Sequence, residues 1–484
     1  MLLKELLSGL DYRLIGVDAC DYITRPYCDS RRVEPGGVFV CLSGRGADGE
    51  SYVGEAVASG AVCIVAERVI EGVPCACVPD TRYALAVMWN NYFGRPGEGM
   101  RLYGITGTNG KTSTAAFLAS CLSAGGRSVG SVGTLGIFCN GERIGSSDGE
   151  TLGAAAAMTT PDPEYLYGAL RALRDSGVTD CVMEVSSHAV SYRKTDPLKF
   201  DIGIFTNLSP EHLDHHKTME EYYRAKASFV ARCERRIVNG DDSDCRRFAQ
   251  SIPCTSLGMD SVRELRADTG GVSYKMCFNG SELFMESCIG GEFTVYNSML
   301  SAGAALLAGV HPTAVERGTR ALAAVKGRLE RVVRMEEHGF DLIIDYAHTP
   351  AALESVLTHL RKTLKGRLIC VFGCGGERDR QKRPLMGRVA ERLSDAVIVT
   401  GDNPRCEEPL GIIRDIIGGM VLDNSVVIPD RREAIFCAVS VAGRGDTVLL
   451  AGKGHETYEI RGEKKLEFDE REVVREALRI KLGT

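Results

Sequence analysis

Short runs rich in valine and isoleucine alternate along the chain with stretches of helical periodicity. DCVMEV, DIGIFTNL, RRIVNGD, DLIIDY, RLICVFG, DAVIVTGD and DTVLLAGKG are such runs. The alternation predicts parallel sheets covered by helices, an α/β fold. In such sheets ligands gather beyond the carboxyl ends of the strands, so the loop after each run is where chemistry is expected. Two interruptions divide the pattern. GRPGEGM at 94–100 is a Gly/Pro break before the strand RLYGIT, and AAVKGRLERV around 321–332 precedes the strand DLIIDYAH. The predicted domains are 1–98, 99–326 and 327–484.

The chain has 484 residues, enough for about three domains at roughly 150 residues each. A hydrophobic share of 44% and a charged share of 25% fit a globular protein. The net charge of −6 comes from 58 basic and 64 acidic residues mixed along the chain, which argues against nucleic acid as a partner. MLLKELLSGLDYRL reads as a short amphipathic helix and not as a signal peptide, and no apolar run reaches the roughly 18 residues of a membrane span. A cytoplasmic protein, monomeric and without membrane insertion, is expected. The 18 cysteines are scattered and mostly sit in apolar segments, as free thiols acting as small hydrophobes.

GITGTNGKTST at 104–114 joins a strand to a helical run. Its glycines let backbone amides face an anion, Lys111 can neutralise phosphate oxygens, and the Thr112 hydroxyl can reach a magnesium ion. The spacing departs from a strict phosphate loop, which would place glycine where Ile105 stands. GTNGKT resembles the nucleotide loop of the Mur ligases and folylpolyglutamate synthetases, which form amide bonds from ATP through an acyl phosphate. The resemblance to the Mur ligases spans nearly the whole chain, through EVSSH, HLDHH, DYAHTP, DNPR and GKGHE. It implies three α/β domains: one for a UDP-linked substrate, a central ATPase-like domain with a parallel sheet, and a Rossmann-like domain for an amino acid.

The same resemblance assigns residues. Gly107, Thr108, Asn109, Gly110, Lys111, Thr112 and Ser113 would hold ATP with Asn297, Arg328, Asp345 and His348. Asn297 matches the residue that reads adenine. Thr112, Glu184 and His212 would ligate Mg2+, and Asp214 lies in the same HLDHH segment. Lys226, in the Y-x-x-A-K pattern with Tyr222 and Ala225, would carry carbon dioxide as a carbamate. An ammonium beside magnesium is repelled, whereas a carbamate is an anionic oxygen ligand. Lys111, Lys226, His212 and Glu184 form the implied catalytic group.

Ser30, in CDSRR before the glycine-rich GRGADG, resembles the UDP contact. Thr159, Thr160 and Ser186 would touch the growing peptide. Thr160 and Pro161 alternatively read as a helix cap and first turn. Where the family usually has arginine this chain has Lys194, preceded by Arg193, and either could meet the peptide carboxylate. In the third domain Arg378, Asp402, Asn403, Pro404, Arg405, Gly452 and Glu456 resemble a set selecting meso-diaminopimelate. Two arginines can fork onto a carboxylate while Asp402 and Glu456 hold an ammonium.

The implied activity is ATP-dependent ligation of meso-2,6-diaminopimelate to UDP-N-acetylmuramoyl-L-alanyl-D-glutamate in peptidoglycan precursor synthesis, with closure of the domains joining the reacting groups. L-Lysine addition, a folylpolyglutamate synthetase-like activity and a nucleotide switch are the alternatives. A switch needs no amino acid clamp.

Overall fold

The computed structural model describes residues 1–43, 48–144, 158–268, 270–364 and 366–483. By contact they form two compact units. Met1–Thr106, Gly126–Phe205 and Arg224–Arg236 make the first, and Gly107–Gly125, Thr206–Tyr223 and Ile237–Thr484 the second.

The first unit opens with β1 (Arg13–Ile15), β2 (Pro26–Tyr27), β3 (Val38–Val40), β4 (Cys63–Ala66) and β5 (Cys75–Cys77). They lie in the order β1-β5-β4-β3-β2, with β1 antiparallel at one edge and the rest parallel. β6 (Arg101–Thr106), β7 (Val129–Gly133), β8 (Gly136–Cys139), β9 (Glu142–Arg143), β10 (Asp180–Glu184) and β11 (Ile202–Phe205) follow. In the larger sheet they run β11-β6-β10-β7-β8-β9; β11, β6, β10 and β7 are parallel, and β8 and β9 extend the sheet as antiparallel strands.

The Gly/Pro break at 94–100 is tied down rather than loose. It ends the helix Thr81–Tyr92, and Arg171 and Arg174, on the helix Pro163–Asp175, donate to the Phe93 and Gly94 carbonyls at 3.3 and 2.9 Å. Glu164, near the start of that helix, receives Arg25 and Arg32 together. The arginines are about a third and nearly half exposed, so solvent screens the pairs. Glu164→Ala is therefore expected to cost only about 1 kcal/mol in urea unfolding, despite breaking two ion pairs.

In the second unit β12 (Arg235–Asn239), through its last three residues, pairs in parallel with β13 (Thr255–Leu257). β14 (Val262–Asp268), β15 (Gly271–Phe278) and β16 (Ser281–Ser287) form a separate antiparallel sheet. β17 (Glu330–Val333), β18 (Asp341–Asp345), β19 (Leu368–Phe372), β20 (Ala396–Val399), β21 (Ser425–Val427) and β22 (Thr447–Ala451) make a six-stranded sheet ordered β17-β18-β22-β19-β20-β21, parallel except for β17. β18, β19 and β22 are buried along their whole length. Separate cores cover the two faces, one around Leu353, Leu357 and Met386 and the other around Ile435, Val439 and Val474. Burial on both faces explains why these strands read as unbroken apolar runs. Every cysteine is a free thiol; nine are buried and four exposed. Among the described residues no helix is long and apolar enough to cross a membrane.

Candidate active site

The phosphate loop lies between β6 and the helix Lys111–Ala124. Gly107 has φ +150°, and a Cβ there would fall 1.8 Å from the Thr206 hydroxyl, so the approach of segment 206–209 demands glycine. That segment braces the loop. Thr206 donates to the Asn109 carbonyl (2.7 Å), Asn207 accepts from the Asn109 amide (2.9 Å), and Thr108 is hydrogen-bonded to the Tyr222 hydroxyl (3.1 Å). Lys111 Nζ donates to the Gly107 and Thr108 carbonyls, each at 2.8 Å, which folds the amine back over the loop.

A cavity of about 240 Å³ opens beside this loop. Asn109, Gly110, Thr112 and Ser113 line it with Arg328, Asp345 and His348, while Phe293, Tyr296, Leu300 and Val356 add apolar wall. Asn297 lies at the phosphate loop, its Oδ1 accepting from Thr114 at 3.3 Å. Arg328 donates to the Thr112 hydroxyl (3.3 Å) and stacks over Tyr346 at 4.5 Å. The Asp345 carboxylate accepts the Leu329 and Ala347 amides, both at 2.7 Å; burial pushes its pKa up and Arg328 opposes the shift. His348 faces the Tyr346 carbonyl with Nδ1 (2.8 Å) and Glu211 with Nε2 (3.0 Å). Burial would raise the Glu211 pKa, but His348, with His212 and Lys111, holds that carboxyl well below the ordinary range.

At the carboxyl ends of β19, β20 and β22 the structure gathers the other predicted cluster. Asp402 and Asn403 are buried, and a Cβ on Gly452 would meet Asp402 Oδ2 at 2.6 Å. Asn403 Nδ2 donates to Glu456 at 2.8 Å, while its Oδ1 accepts from Lys453 and from the Ile460 amide, both at 3.0 Å. Arg405, after Pro404, has φ +53°, in the left-handed region, and donates to the Gly376 carbonyl (2.7 Å). Arg378 lies beside it; burial and then that neighbour lower the Arg405 pKa. Among the described residues no carboxylate lies within 4.0 Å of either guanidinium.

The remaining predicted residues of the first unit form their own arrangement. Thr134 anchors the Glu184 carboxylate through its amide and hydroxyl, both at 2.9 Å, and its hydroxyl oxygen is hydrogen-bonded to that of Thr159 (3.1 Å). Thr160 donates to the Glu184 carbonyl and accepts the Ser186 amide. It does not cap a helix. Asp162 is the N-cap and Pro163 the first residue of Pro163–Asp175, because proline suits that first position. Arg193 is held by Asp80 and Asp196, each at 2.8 Å, whereas Lys194 Nζ reaches Asp162 (2.7 Å) and the Thr160 carbonyl (3.4 Å). The Ser30 hydroxyl donates to Glu55. Lys226 is buried on the helix Met219–Ala231, unlike an ordinary helical lysine. In the second unit, His212 is a left-handed residue with φ +57° at the start of the turn Leu213–His216. Part of the predicted glycine-rich segment, residues 44–47, lies outside the described residues.

The sequence model of the Mur ligase middle domain matches residues 105–305, and that of the Mur ligase glutamate ligase domain matches 327–454. The chain belongs to the Mur ligase family. A UDP-N-acetylmuramoyl-L-alanyl-D-glutamate–2,6-diaminopimelate ligase of Clostridium perfringens is 38% identical over 493 residues, covering 99% of each chain. The ligase of the same name from Syntrophomonas wolfei is 38% identical over 500 residues, covering all of both. A solved structure of such a ligase covers the whole of this Mur ligase with a TM-score of 0.68 at 28% identity. A folylpolyglutamate synthase of Mycobacterium tuberculosis, at 19% identity and a TM-score of 0.64, shares the fold.

Three polar residues of this Mur ligase site escaped the sequence reading: Glu211, Lys453 and His455. Each stands directly beside a motif residue: Glu211 beside His212, Lys453 beside Gly452 and His455 beside Glu456. The His455 ring packs against Tyr346 at 4.9 Å; burial, then Arg328, Lys326 and Arg471, lower its pKa to about 3. A base depressed in the fold takes up its proton on unfolding, so its contribution is present above about pH 6.5 and is lost as pH falls toward 3. Unfolding free energy is expected to fall by a few kcal/mol between pH 7 and pH 4, with a shallower slope in His455→Gln. Denaturant titrations at the two pH values measure both.

Proposed function

We propose that this ligase adds meso-2,6-diaminopimelate to the D-glutamate γ-carboxylate of UDP-N-acetylmuramoyl-L-alanyl-D-glutamate, consuming ATP. The observation that carries the reading is the pairing of opposites at the ends of β19, β20 and β22. Among the described residues no carboxylate lies within 4.0 Å of two neighbouring guanidiniums, Arg378 and Arg405, next to the carboxylates of Asp402 and Glu456. One amino acid head, with its own carboxylate and ammonium, complements both halves. L-Lysine has no distal carboxylate and would leave Arg405 unmatched.

Chemically, a γ-carboxylate oxygen of the glutamate attacks the γ-phosphorus of ATP, and ADP leaves with the electron pair of the broken bond. The amine of diaminopimelate then attacks the acyl carbon. Phosphate departs and the amine loses a proton, forming the amide. The phosphate-loop amides, Lys111 and Arg328 orient the triphosphate, and catalysis is mostly positioning and electrostatics. Thr112, Glu184 and His212 supply a hydroxyl, a carboxylate and an imidazole that suit a magnesium ion completed by phosphate oxygens, which would neutralise charge on the transferring phosphoryl group. Among the described residues no three His, Cys, Asp or Glu side chains form a cage of their own. Ser30, Thr159, Thr160 and Ser186 contact the UDP-dipeptide, with Lys194 rather than Arg193 for the peptide carboxylate, since Arg193 is already shared by two aspartates.

Lys226 carries a carbamate in this reading, and its burial supports that. Lys226→Ala is expected to lower phosphate release by about a hundredfold, with partial recovery on adding short carboxylic acids. Full activity without them would sink the carbamate. The whole assignment is tested by phosphate release with ATP, magnesium, UDP-dipeptide and either diaminopimelate or L-lysine. Release that requires the dipeptide and prefers diaminopimelate supports it, and hydrolysis of nucleotide alone overturns it.

A further inference from the structure

Lys453 has no solvent exposure, yet it reaches neither the cavity nor the two guanidiniums. Its ammonium donates to Asn403 Oδ1 (3.0 Å) and the Tyr458 carbonyl (2.9 Å), and lies 4.0 Å from both Asp402 Oδ1 and Glu456 Oε2. The groups that would hold the incoming ammonium thus all touch or face one internal cation. A buried lysine is costly, and it persists only where its charge is matched.

We infer that Lys453 is a positioning residue that sets the charge of the amino-acid pocket, keeping Asp402 and Glu456 both ionised and aimed at the substrate ammonium. The inference rests on the amino-acid reading of this pocket proposed above. Behind the pocket a second buried pair, Arg431 with Glu470 at 2.8 Å, anchors the same loops, because Arg431 also donates to the Gly401 (3.1 Å) and Ala451 (2.8 Å) carbonyls. Set apart from Arg405, whose charge the distal carboxylate of the substrate matches in this reading, three carboxylates, Asp402, Glu456 and Glu470, face two cations, Lys453 and Arg431, which leaves one unmatched negative charge. One ammonium matches it. Without Lys453 the excess is two, and two like charges in a buried site favour protonation of one carboxyl. Glu456 is the one that takes it: burial and Asp402 already raise its pKa, whereas Lys453 and Arg431 outweigh burial at Asp402. His348, Arg405, Tyr346 and Tyr458 also face these carboxylates and remain in every variant below.

The test is steady-state phosphate release by Lys453→Gln, Glu456→Gln and the double variant. Glutamine keeps an N–H donor toward Asn403 and Tyr458 and removes the charge, on a side chain one bond shorter. Lys453→Gln is expected to raise the KM for diaminopimelate about tenfold or more, with the KM for ATP and for UDP-dipeptide within about twofold of wild type. Adding Glu456→Gln to Lys453→Gln should cost little further, although Glu456→Gln alone costs about tenfold, because the carboxyl it removes is already neutral. Independent, multiplying losses would overturn the inference, as would equal rises in all three KM values. A measurement on wild type serves if the variants do not fold. Diaminopimelate is titrated into enzyme holding a non-hydrolysable ATP analogue and UDP-dipeptide, in two buffers of different ionisation enthalpy. Equal heats support two ionised carboxylates, and release of a proton on binding overturns them. If wild type uses another diamino acid, the diaminopimelate reading fails by itself, and the same comparison is run with that amino acid.

Discussion

Lys111→Ala is expected to reduce phosphate release about a thousandfold with little change in the unfolding midpoint. The asymmetry follows from where the amine now sits. It donates to the Gly107 and Thr108 carbonyls within its own loop, bonds whose net contribution to folding is about 1 kcal/mol each or less. With ATP bound, the same amine neutralises charge on the phosphates as the γ-phosphoryl group transfers, and that electrostatic role has no substitute in alanine. The loop itself should keep its shape, because Thr206, Asn207 and Tyr222 brace it independently of Lys111. Phosphate release, nucleotide binding by calorimetry and urea unfolding on the same preparation separate the two effects. Loss of fold in parallel with activity would count against the catalytic role.

The second large effect concerns Arg405. Its alanine variant should lose about 2–5 kcal/mol in kcat/KM for diaminopimelate, or roughly thirtyfold to several-thousandfold, because the distal carboxylate would face Arg378 alone. The KM for ATP should not move. A smaller part of the loss comes from folding, since a non-glycine side chain at φ +53° is strained whether arginine or alanine stands there, while the bond to the Gly376 carbonyl disappears. Comparing diaminopimelate with L-lysine on wild type and variant isolates the recognition term. Equal use of lysine by wild type would mean that Arg405 only shapes the turn after Asp402.

The proposed clamp residues and the strands that carry them were largely legible in the chain. Strands buried on both faces are written as continuous apolar runs, and in a parallel sheet the loops at their carboxyl ends necessarily share one edge. The antiparallel parts were missed. β8 to β9 and β15 to β16 turn through Asn140-Gly141 and Asn279-Gly280, each pair with both φ values positive, as a tight hairpin turn requires. The signal is the NG pair between short strand-forming runs, weaker than the α/β rhythm around it.

What the sequence determined by itself was therefore local or repetitive: the strand rhythm, the phosphate loop, and side chains standing in motifs matched one by one. Tertiary structure alone decided which of those groups are already spoken for. Arg193 and Lys194 are adjacent in sequence, and only the fold turns one to Asp80 and Asp196 and the other to Thr160 and Asp162. Nothing in GKGHE says that Lys453 is enclosed while Glu456 faces Asn403, or in SPEHL that Glu211 reaches His348 across 137 positions of chain. Such pairings are made by residues far apart in sequence, and their electrostatics depend on how much water the surrounding packing excludes, which no local pattern encodes.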